Sequence, residues 1–322
     1  MSVPRIAAFA RWASGPQKPT RAIQGQNTKL SRTIHGLDYD AVNDELIAPV
    51  FEAGAILIFR GGANGAEAPI RVIQGDKTKL LGPQTASVDP VNNEILVGDA
   101  SSGSILIYDR MANGNVAPKR IIRGPNTGLR EITGIAADPK RNLLMVVNMG
   151  ATKDEHGVYI FNRTDQGDVA PKAIIAGPEA GISHARQITV DSERGKIYVA
   201  VQGQNFRGVY PYKDGLPRPD TTWEDVVDAR GKDKSRASWS EDSRGFIGVW
   251  DINDNGNVAP RAVVKGFNTK MSGCGGVAID PKEGIVIGVG NNMYTTYLVP
   301  DFFTDSFWAP KKVASAKPAG KR

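Results

Sequence analysis

A unit of about fifty residues recurs along this chain, and this repetition restricts the fold more than any other feature of the sequence. Each copy has two apolar stretches separated by a Gly-containing turn and a proline. The copies occupy residues 5–30, 55–80, 104–129, 157–182 and 246–271. Their marker prolines are Pro19, Pro69, Pro118, Pro171 and Pro260, so successive spacings are 50, 49, 53 and 89 residues. The last spacing exceeds one unit by about 39 residues.

A second recurring element lies between these copies and supplies two more short apolar stretches. The first stretch ends in Asp and the second follows it closely, as in residues 36–50, 85–99, 134–148, 187–201 and 276–290. Short runs rich in Val and Ile, bounded by Gly, Pro, Asn and Asp, are typical of strands and turns. No sustained helical period occurs. Each unit therefore predicts four antiparallel strands, with a tight Asn-Gly turn such as Asn113-Gly114 before the fourth.

Four short antiparallel strands per unit, repeated in series, predict an all-β fold of the β-propeller type. The stretch GIAADPKRNLLMVVN, followed by GVYIFNR, resembles the NHL-repeat propellers. Neighbours of that group include the gluconolactonase, strictosidine-synthase and peptidyl-glycine lyase propellers. The resemblance covers nearly the whole chain outside residues 203–244 and the C-terminal tail. It implies the fold rather than the function, because one fold hosts many functions.

The spacing favours six blades, one of them degenerate and placed in residues 203–244. The alternative is a five-bladed ring in which residues 203–244 form an irregular excursion. The chain starts with third- and fourth-strand sequence and ends with first- and second-strand sequence at 276–290, so we expect the N-terminal strands to complete the last blade. The predicted organisation is a single domain over residues 1–303 and a C-terminal basic tail over residues 304–322.

Charge and hydropathy limit the partners and the location. The net charge is +6, but the last twelve residues carry five basic side chains and no acid, which leaves the body at about +1 (6 minus 5). A folded nucleic-acid-binding face is therefore not expected, and another protein or a small polar ligand is the expected partner. The sequence has no run apolar enough to span a membrane and no signal-peptide pattern at its start. We expect a cytoplasmic protein, or a periplasmic or extracellular one if a signal has been removed.

Propellers bind ligands at the mouth of the central channel, and the repeats place polar residues there. Two alignment columns should lie near the mouth, one five residues before and one ten residues after each first-strand Asp. Together with the loop that follows the last copy, they give the predicted ligand-binding set, which is His35, Gln84, Asp99, Thr133, Asn148, Arg186 and Asn291. Such a set would suit a small anion, a sugar-like molecule or a hard cation.

No cofactor is predicted, although a divalent cation is the alternative. If a metal is bound, its candidate ligands are His35, Asp99 and Asn148, with His184 and Glu52 close by. Calcium or magnesium would suit these oxygen donors better than zinc. The resemblance implies a Glu, Asn and Asp set in the lactonase group and several histidines in the lyase group, and neither set matches here residue by residue. The competing interpretation is that Asp99 and Asn148 cap turns.

Two further residue types have a structural interpretation. An Asp before a Pro, Ser or Ala turn accepts hydrogen bonds from backbone amides two residues on, so the first-strand aspartates are expected to build turns. They are Asp40, Asp89, Asp138, Asp191 and Asp280. The single cysteine, Cys274, excludes an internal disulfide and lies between glycines, which favours a small buried side chain over a nucleophile.

Residues 203–244 break the repeat and carry eight basic and eight acidic residues together with Tyr210, Tyr212, Trp223 and Trp239. Aromatic residues among balanced charges fit a partner-binding surface, whereas the competing interpretation is a decayed blade whose aromatics pack on its neighbours. No catalytic constellation recurs. The predicted function is a non-enzymatic scaffold that binds a protein or small ligand through the channel mouth and this excursion. The alternatives are a metal-dependent lactonase- or lyase-type enzyme at the channel, and RNA binding.

Overall fold

Five sheets stand in a ring and form a β-propeller, as the repeats predict. The structure is a computed structural model. It describes residues 4–32, 34–152, 155–202, 212–213, 216–217, 245–265, 269, 274–290 and 294–309.

Four of the blades have four antiparallel strands in the sequence order one to four, with strand one innermost. A hairpin of β1 (Arg5–Ala8) and β2 (Arg21–Gln24) precedes them. Blade one contains β3 (Asp38–Asp40), β4 (Glu45–Val50), β5 (Ala55–Arg60) and β6 (Arg71–Gln74), and blade two contains β7 (Pro83–Asp89), β8 (Glu94–Asp99), β9 (Ser104–Asp109) and β10 (Arg120–Ile122). Blade three contains β11 (Glu131–Asp138), β12 (Leu143–Met149), β13 (Gly157–Asn162) and β14 (Ala173–Ala176).

Blade four is interrupted. It consists of β15 (Ala185–Asp191), β16 (Lys196–Val201), β19 (Phe246–Asp251) and β20 (Ala262–Val264), and the two short strands β17 (Tyr212–Lys213) and β18 (Leu216–Pro217) pair only with each other. The last blade has three strands, β21 (Gly276–Asp280), β22 (Ile285–Val289) and β23 (Tyr294–Leu298). One helical turn, α1 (Asp305–Trp308), follows it.

The core lies between neighbouring blades rather than inside any one of them. Alternate residues of the second and third strands point to opposite faces of each sheet, and both faces are covered by the adjoining blades. Between blades one and two, for example, Ile56, Ile95 and Tyr108 are fully buried in one cluster. This two-sided burial explains why the central strands are almost continuously apolar.

A backbone bridge joins each of the first four units to the next. The fourth strand of one unit pairs with the turn between strands three and four of the following blade, through Ile23–Gly65, Ile73–Gly114, Ile122–Gly167 and Ile175–Gly256. At three of these junctions the Asn before the glycine accepts a further backbone hydrogen bond across the junction, as Asn113 does from Val72 at 3.0 Å. The Asn-Gly turn therefore serves as a clasp between blades as well as a tight turn.

Buried ion pairs reinforce two of these junctions. The Glu94 carboxylate of blade two accepts hydrogen bonds from Arg120 of its own blade at 2.8 Å and from Arg163 of blade three at 2.9 Å. Glu45 of blade one is held in the same way by Arg71 and by Arg110 of blade two. One carboxylate thus links two blades at each position.

The six-bladed prediction is wrong, and the five-bladed alternative is correct. Strands β16 and β19 pair directly, from Lys196 opposite Asp251 to Val201 opposite Phe246. They are the second and third strands of blade four, so residues 202–245 form an insertion between them. Sequence spacing could not separate such an insertion from a decayed blade, because both lengthen the interval between repeats.

The prediction that the N-terminal strands complete the last blade is also wrong. Strands β1 and β2 form a separate two-stranded sheet, and β23 takes the third-strand position beside β22. Side chains still connect the two ends of the chain. Arg11 donates a hydrogen bond to Asp280 at 2.7 Å, and the Phe9 and Tyr294 ring centroids lie 5.6 Å apart.

The predicted tail begins with ordered structure. The Trp308 ring of α1 packs on Phe302 and lies 5.0 Å from the Lys196 ammonium, measured to the ring centroid. Residues 310–322 of the tail lie outside the described part of the chain. Within the described residues, no helix has the length and hydropathy needed to cross a membrane.

Candidate functional site

The mouth of the channel is formed where the first strands begin and the second strands end. These ends meet because the two strands are antiparallel, with Pro83 opposite Asp99 and Ile132 opposite Asn148. The same end of the ring receives the connections between blades and the loops between strands two and three. His35, Gln84, Thr133 and Arg186 lie at or just before the starts of first strands, and therefore at this end of the ring.

The channel is narrow just inside this mouth. Gly36 of blade one pairs with Thr85 of blade two, and its backbone amide donates to the Gln84 carbonyl at 3.0 Å. A Cβ at Gly36 would collide with the side chains of Thr85 and Gln187, so this close approach requires glycine. The Gln187 amide nitrogen also lies 3.5 Å from the Thr133 carbonyl oxygen. The Gln187 side chain of blade four thus approaches blades one and three just inside the mouth.

His35 is the most accessible of the described members of the predicted set, and charges of both signs lie near its ring. Loss of surrounding water and the positive charge of Arg186 lower the pKa of His35, while the carboxylate of Glu52 raises it. Arg186 in turn donates to the Gln202 side-chain oxygen at 3.2 Å. His35, Arg186, Glu52 and Gln202 therefore form the polar part of the mouth.

Asp99 and Asn148 have a different role from the one the ligand hypothesis assigns. The two carboxylate oxygens of Asp99 accept hydrogen bonds from the amides of Leu81, Gly82 and Ser102 at 2.8 to 2.9 Å. Asn148 accepts from the Arg130 amide at 2.9 Å and donates to the Gly128 carbonyl at 3.0 Å. Both side chains are fully buried and tie the connection between blades to the end of a second strand.

The candidate metal ligands do not fit a divalent cation. The side-chain oxygens of Asp99 and Asn148 already accept hydrogen bonds from loop amides. Of the three candidate ligands, this leaves His35 as the one that could bind a metal. Across the ranges described above, no group of three or more His, Cys, Asp or Glu side chains is placed to hold a metal ion. We therefore derive no step through a metal.

The first-strand aspartates build turns, as predicted. Asp89, for example, accepts from the backbone amide and the side-chain amide of Asn92 at 2.9 and 2.7 Å. Similar bonds to residues two or three positions on are formed by Asp40, Asp138, Asp191 and Asp280. They therefore do not form a ring of carboxylates for chemistry.

Cys274 is fully buried, and its thiol donates to the Gly276 carbonyl at 3.3 Å. Burial raises the pKa of this thiol to about 12, which keeps it protonated at neutral pH. The geometry supports the interpretation of a buried structural cysteine.

Sequence reasoning missed one residue of this face. His156 immediately precedes β13, at the end of the long loop of blade three, and its ring meets that of His184 edge to face with centroids 5.5 Å apart. The alignment columns follow only the first two strands of each unit, so they did not include it. Third strands also begin at the mouth, so a third alignment column at the residue before each third strand would have included His156. The chain's three histidines thus lie on loops of one face.

Several predicted residues lie outside the described part of the chain. They are Asn291 of the mouth set and Tyr210, Trp223 and Trp239 of the excursion. Tyr212 begins the short strand β17, and its predicted role in partner binding stays a prediction.

Neither models of known protein families nor the sequences of curated proteins match the chain. The fold and the geometry of the mouth therefore carry the functional argument.

Proposed function

We propose that this chain is a non-enzymatic β-propeller scaffold that binds a protein partner at the channel mouth, with residues 203–244 as part of the binding surface. The NHL-like character of its repeats is part of the same proposal. A small polar ligand at the mouth is the alternative occupant.

The position of the insertion carries this proposal. Val201 and Phe246 are the last paired residues of β16 and β19, and both lie at the mouth end of blade four. Gln202, the first residue after β16, is buried and accepts the hydrogen bond from Arg186. Residues 203–244 therefore leave and rejoin the propeller directly beside the polar group of the mouth.

The composition of the insertion supports a protein partner. Blades one, two and three join strands two and three through residues 51–54, 100–103 and 150–156, whereas blade four uses residues 202–245. This segment combines Trp223, Trp239 and Tyr210 with equal numbers of acidic and basic residues. Aromatic residues are enriched at protein interfaces, and loops on rigid scaffolds commonly carry specificity.

The hydrogen bonds and burial of the polar groups near the mouth also support a scaffold rather than an enzyme. Asp99 and Asn148 are used by backbone amides, and the Cys274 thiol is buried with a raised pKa. A nucleophile or general base needs a partner within hydrogen-bond reach and access to substrate. None of these three side chains meets both conditions.

The test replaces residues 203–244 by Ser101-Ser102, so that Gln202 and Gly245 take the places of Ala100 and Gly103 in the four-residue loop of blade two. We expect an unchanged far-ultraviolet spectrum and cooperative unfolding, because β16 and β19 already pair without the insertion. A photo-crosslinker at Arg186 of the intact chain should capture a partner from native extract, and the purified partner should bind the loopless variant at least about tenfold more weakly.

A crosslinker placed at Lys282, on the opposite face, is the matched control. Equal binding of the purified partner by the loopless and intact chains would overturn the proposal. Hydrolysis of a lactone or ester by the purified chain, lost on substitution His35→Ala but not Lys282→Ala, would establish the enzymatic alternative.

A further inference from the structure

A second cavity lies between blades two and three on the same end of the ring as the channel mouth, and none of the predicted mouth residues lines it. Its volume is about 610 Å³, within the range of small-molecule sites. The connection 123–130 forms one wall, and Tyr159, Pro171 and Ile174 of blade three line the other side. We call this cavity the rim groove.

Two arginines dominate its charge. Arg123 and Arg130 both line the rim groove and are exposed, and neither guanidinium has a hydrogen bond or ion pair with any residue in the described part of the chain. Their backbones are fixed, since the Arg123 amide donates to the Gly167 carbonyl at 3.0 Å and the Arg130 amide to Asn148 at 2.9 Å. The one acid in the lining, Glu155, accepts a hydrogen bond from the Ala151 amide of its own loop at 2.8 Å.

The other repeats serve as an internal control for what the fold requires at these positions. The residues aligned with Arg123 are Gln24, Gln74, Ala176 and Lys265, and those aligned with Arg130 include Ser31, Leu81 and Ser183. In the first blade Gln74 is tied to the Ala53 carbonyl at 2.9 Å, a bond that has no counterpart at Arg123. The fold therefore does not require either arginine.

The rim groove also depends on a glycine that the two earlier repeats lack. Gly128 ends the short 3₁₀ turn at φ 66°, where the earlier repeats have Lys29 and Lys79 at φ 56° and 64°. A side chain at Gly128 would start 3.1 Å from the Tyr159 ring. The lack of a side chain there leaves the groove open, although a lysine can adopt the same backbone conformation.

We propose that the rim groove binds a small organic anion, with its carboxylate on Arg123 and Arg130 and its apolar part on Pro171 and Ile174. Guanidinium groups bind carboxylates through paired, charge-assisted hydrogen bonds. The partly buried apolar side chains of the groove give the rest of such a ligand a surface to cover. This inference does not depend on the proposed function, because the rim groove and the insertion lie on different blades.

The probe is para-trifluoromethylbenzoate, followed by fluorine NMR, with the neutral amide of the same acid as a charge control. We expect saturable benzoate binding and at least about tenfold weaker binding of the amide. The variant Arg123→Gln with Arg130→Leu uses the residues of the first blade, so it should fold and should weaken benzoate binding at least about tenfold.

The matched control removes two exposed charges outside the lining of the rim groove, by Lys77→Gln with Lys282→Gln, and should bind the benzoate like the parent chain. Equal binding of acid and amide, unchanged binding by the double arginine variant, or no saturable shift at millimolar probe would each overturn the proposal. Deletion of residues 203–244 should leave benzoate binding unchanged, so failure here is separate from failure of the proposed scaffold function.

Discussion

The junctions between successive units from the N-terminal hairpin to blade four differ from the attachment of the last blade. Each of the former has a backbone bridge from a fourth strand to the next Gly-containing turn. The described part of the last blade has no such bridge on either side. It packs on blade four through apolar side chains, as in the stacked rings of Tyr198 and Phe303, and meets the N-terminal segment through Arg11 and Phe9.

The burial of the inner strands shows the effect of this difference. Nearly every residue of β7 in blade two is buried, whereas no residue of β21 in the last blade is. The bridge needs the turn between strands three and four, and the last blade ends at its third strand. Repetition therefore makes the inner junctions uniform, and the place where the ring closes must use contacts that do not repeat.

The largest effect is expected when a buried inner junction is broken. The substitution Glu94→Gln leaves Arg120 and Arg163 without their shared carboxylate, and removing one partner of a buried ion pair costs about 3 kcal/mol or more. Urea unfolding should report this loss in the free energy of unfolding. A change under about 0.5 kcal/mol would contradict the importance of the ion pair.

Acid should weaken the same junction. Burial alone would raise the pKa of Glu94, but hydrogen bonds and charge from Arg120, with Arg163 and Lys119, lower it from 4.5 to about 2. Since the folded-state pKa is the lower one, the carboxylate stabilises the fold above about pH 4.5, and this contribution is lost as the pH falls toward 2. Thermal unfolding between these pH values should show a smaller acid dependence in Glu94→Gln than in the parent chain.

A clasp between blades should contribute less than the ion pair. Asn113→Ala removes the hydrogen bond from the Val72 amide while the Gly114 bridge remains, so we expect a loss of about 1 kcal/mol in the free energy of unfolding. Asn64→Ala at the preceding junction removes the bond from the Ala22 amide and should cost a similar amount. Clearly different values would show that the clasps are not equivalent.

The smallest effect is expected where the ring closes. Arg11 is about half exposed and pairs with Asp280 on the surface, so Arg11→Ala should change the free energy of unfolding by less than about 1 kcal/mol. The change should shrink further in high salt. A loss as large as that of Glu94→Gln would remove the contrast between the inner junctions and the ring closure.

Much of the fold could be predicted because strand chemistry repeats. The Val- and Ile-rich runs, the Asp turns and the Asn-Gly turns each have a local cause, and Asp89 and Gly114 behave as their residue types require. The blade number and the ring closure depend on which strands pair at a distance. The alternation of polar and apolar residues along β23 identifies a strand but not its partner. The sequence therefore does not show that β23, rather than β1, pairs with β22.

The candidate site was less predictable for a related reason. Asp99 and Asn148 lie near the ends of second strands, where a polar side chain can bind either a ligand or a loop amide, and the sequence does not distinguish the two. Only the paths of the loops at Leu81 and Arg130 show that the amides take these oxygens. His156 was missed because its position depends on the third strand.

The clasp between blades has a mechanical consequence. A force applied between the two ends of the chain would reach the contacts of Arg11 and Phe9 with the last blade first, and those contacts involve side chains alone. Every junction from the N-terminal hairpin to blade four would instead have to shear a pair of backbone hydrogen bonds, such as those between Gly114 and the outer strand of blade one. Under load the propeller would open at its last blade, whose described part has no such bridge on either side, and the other blades would stay together.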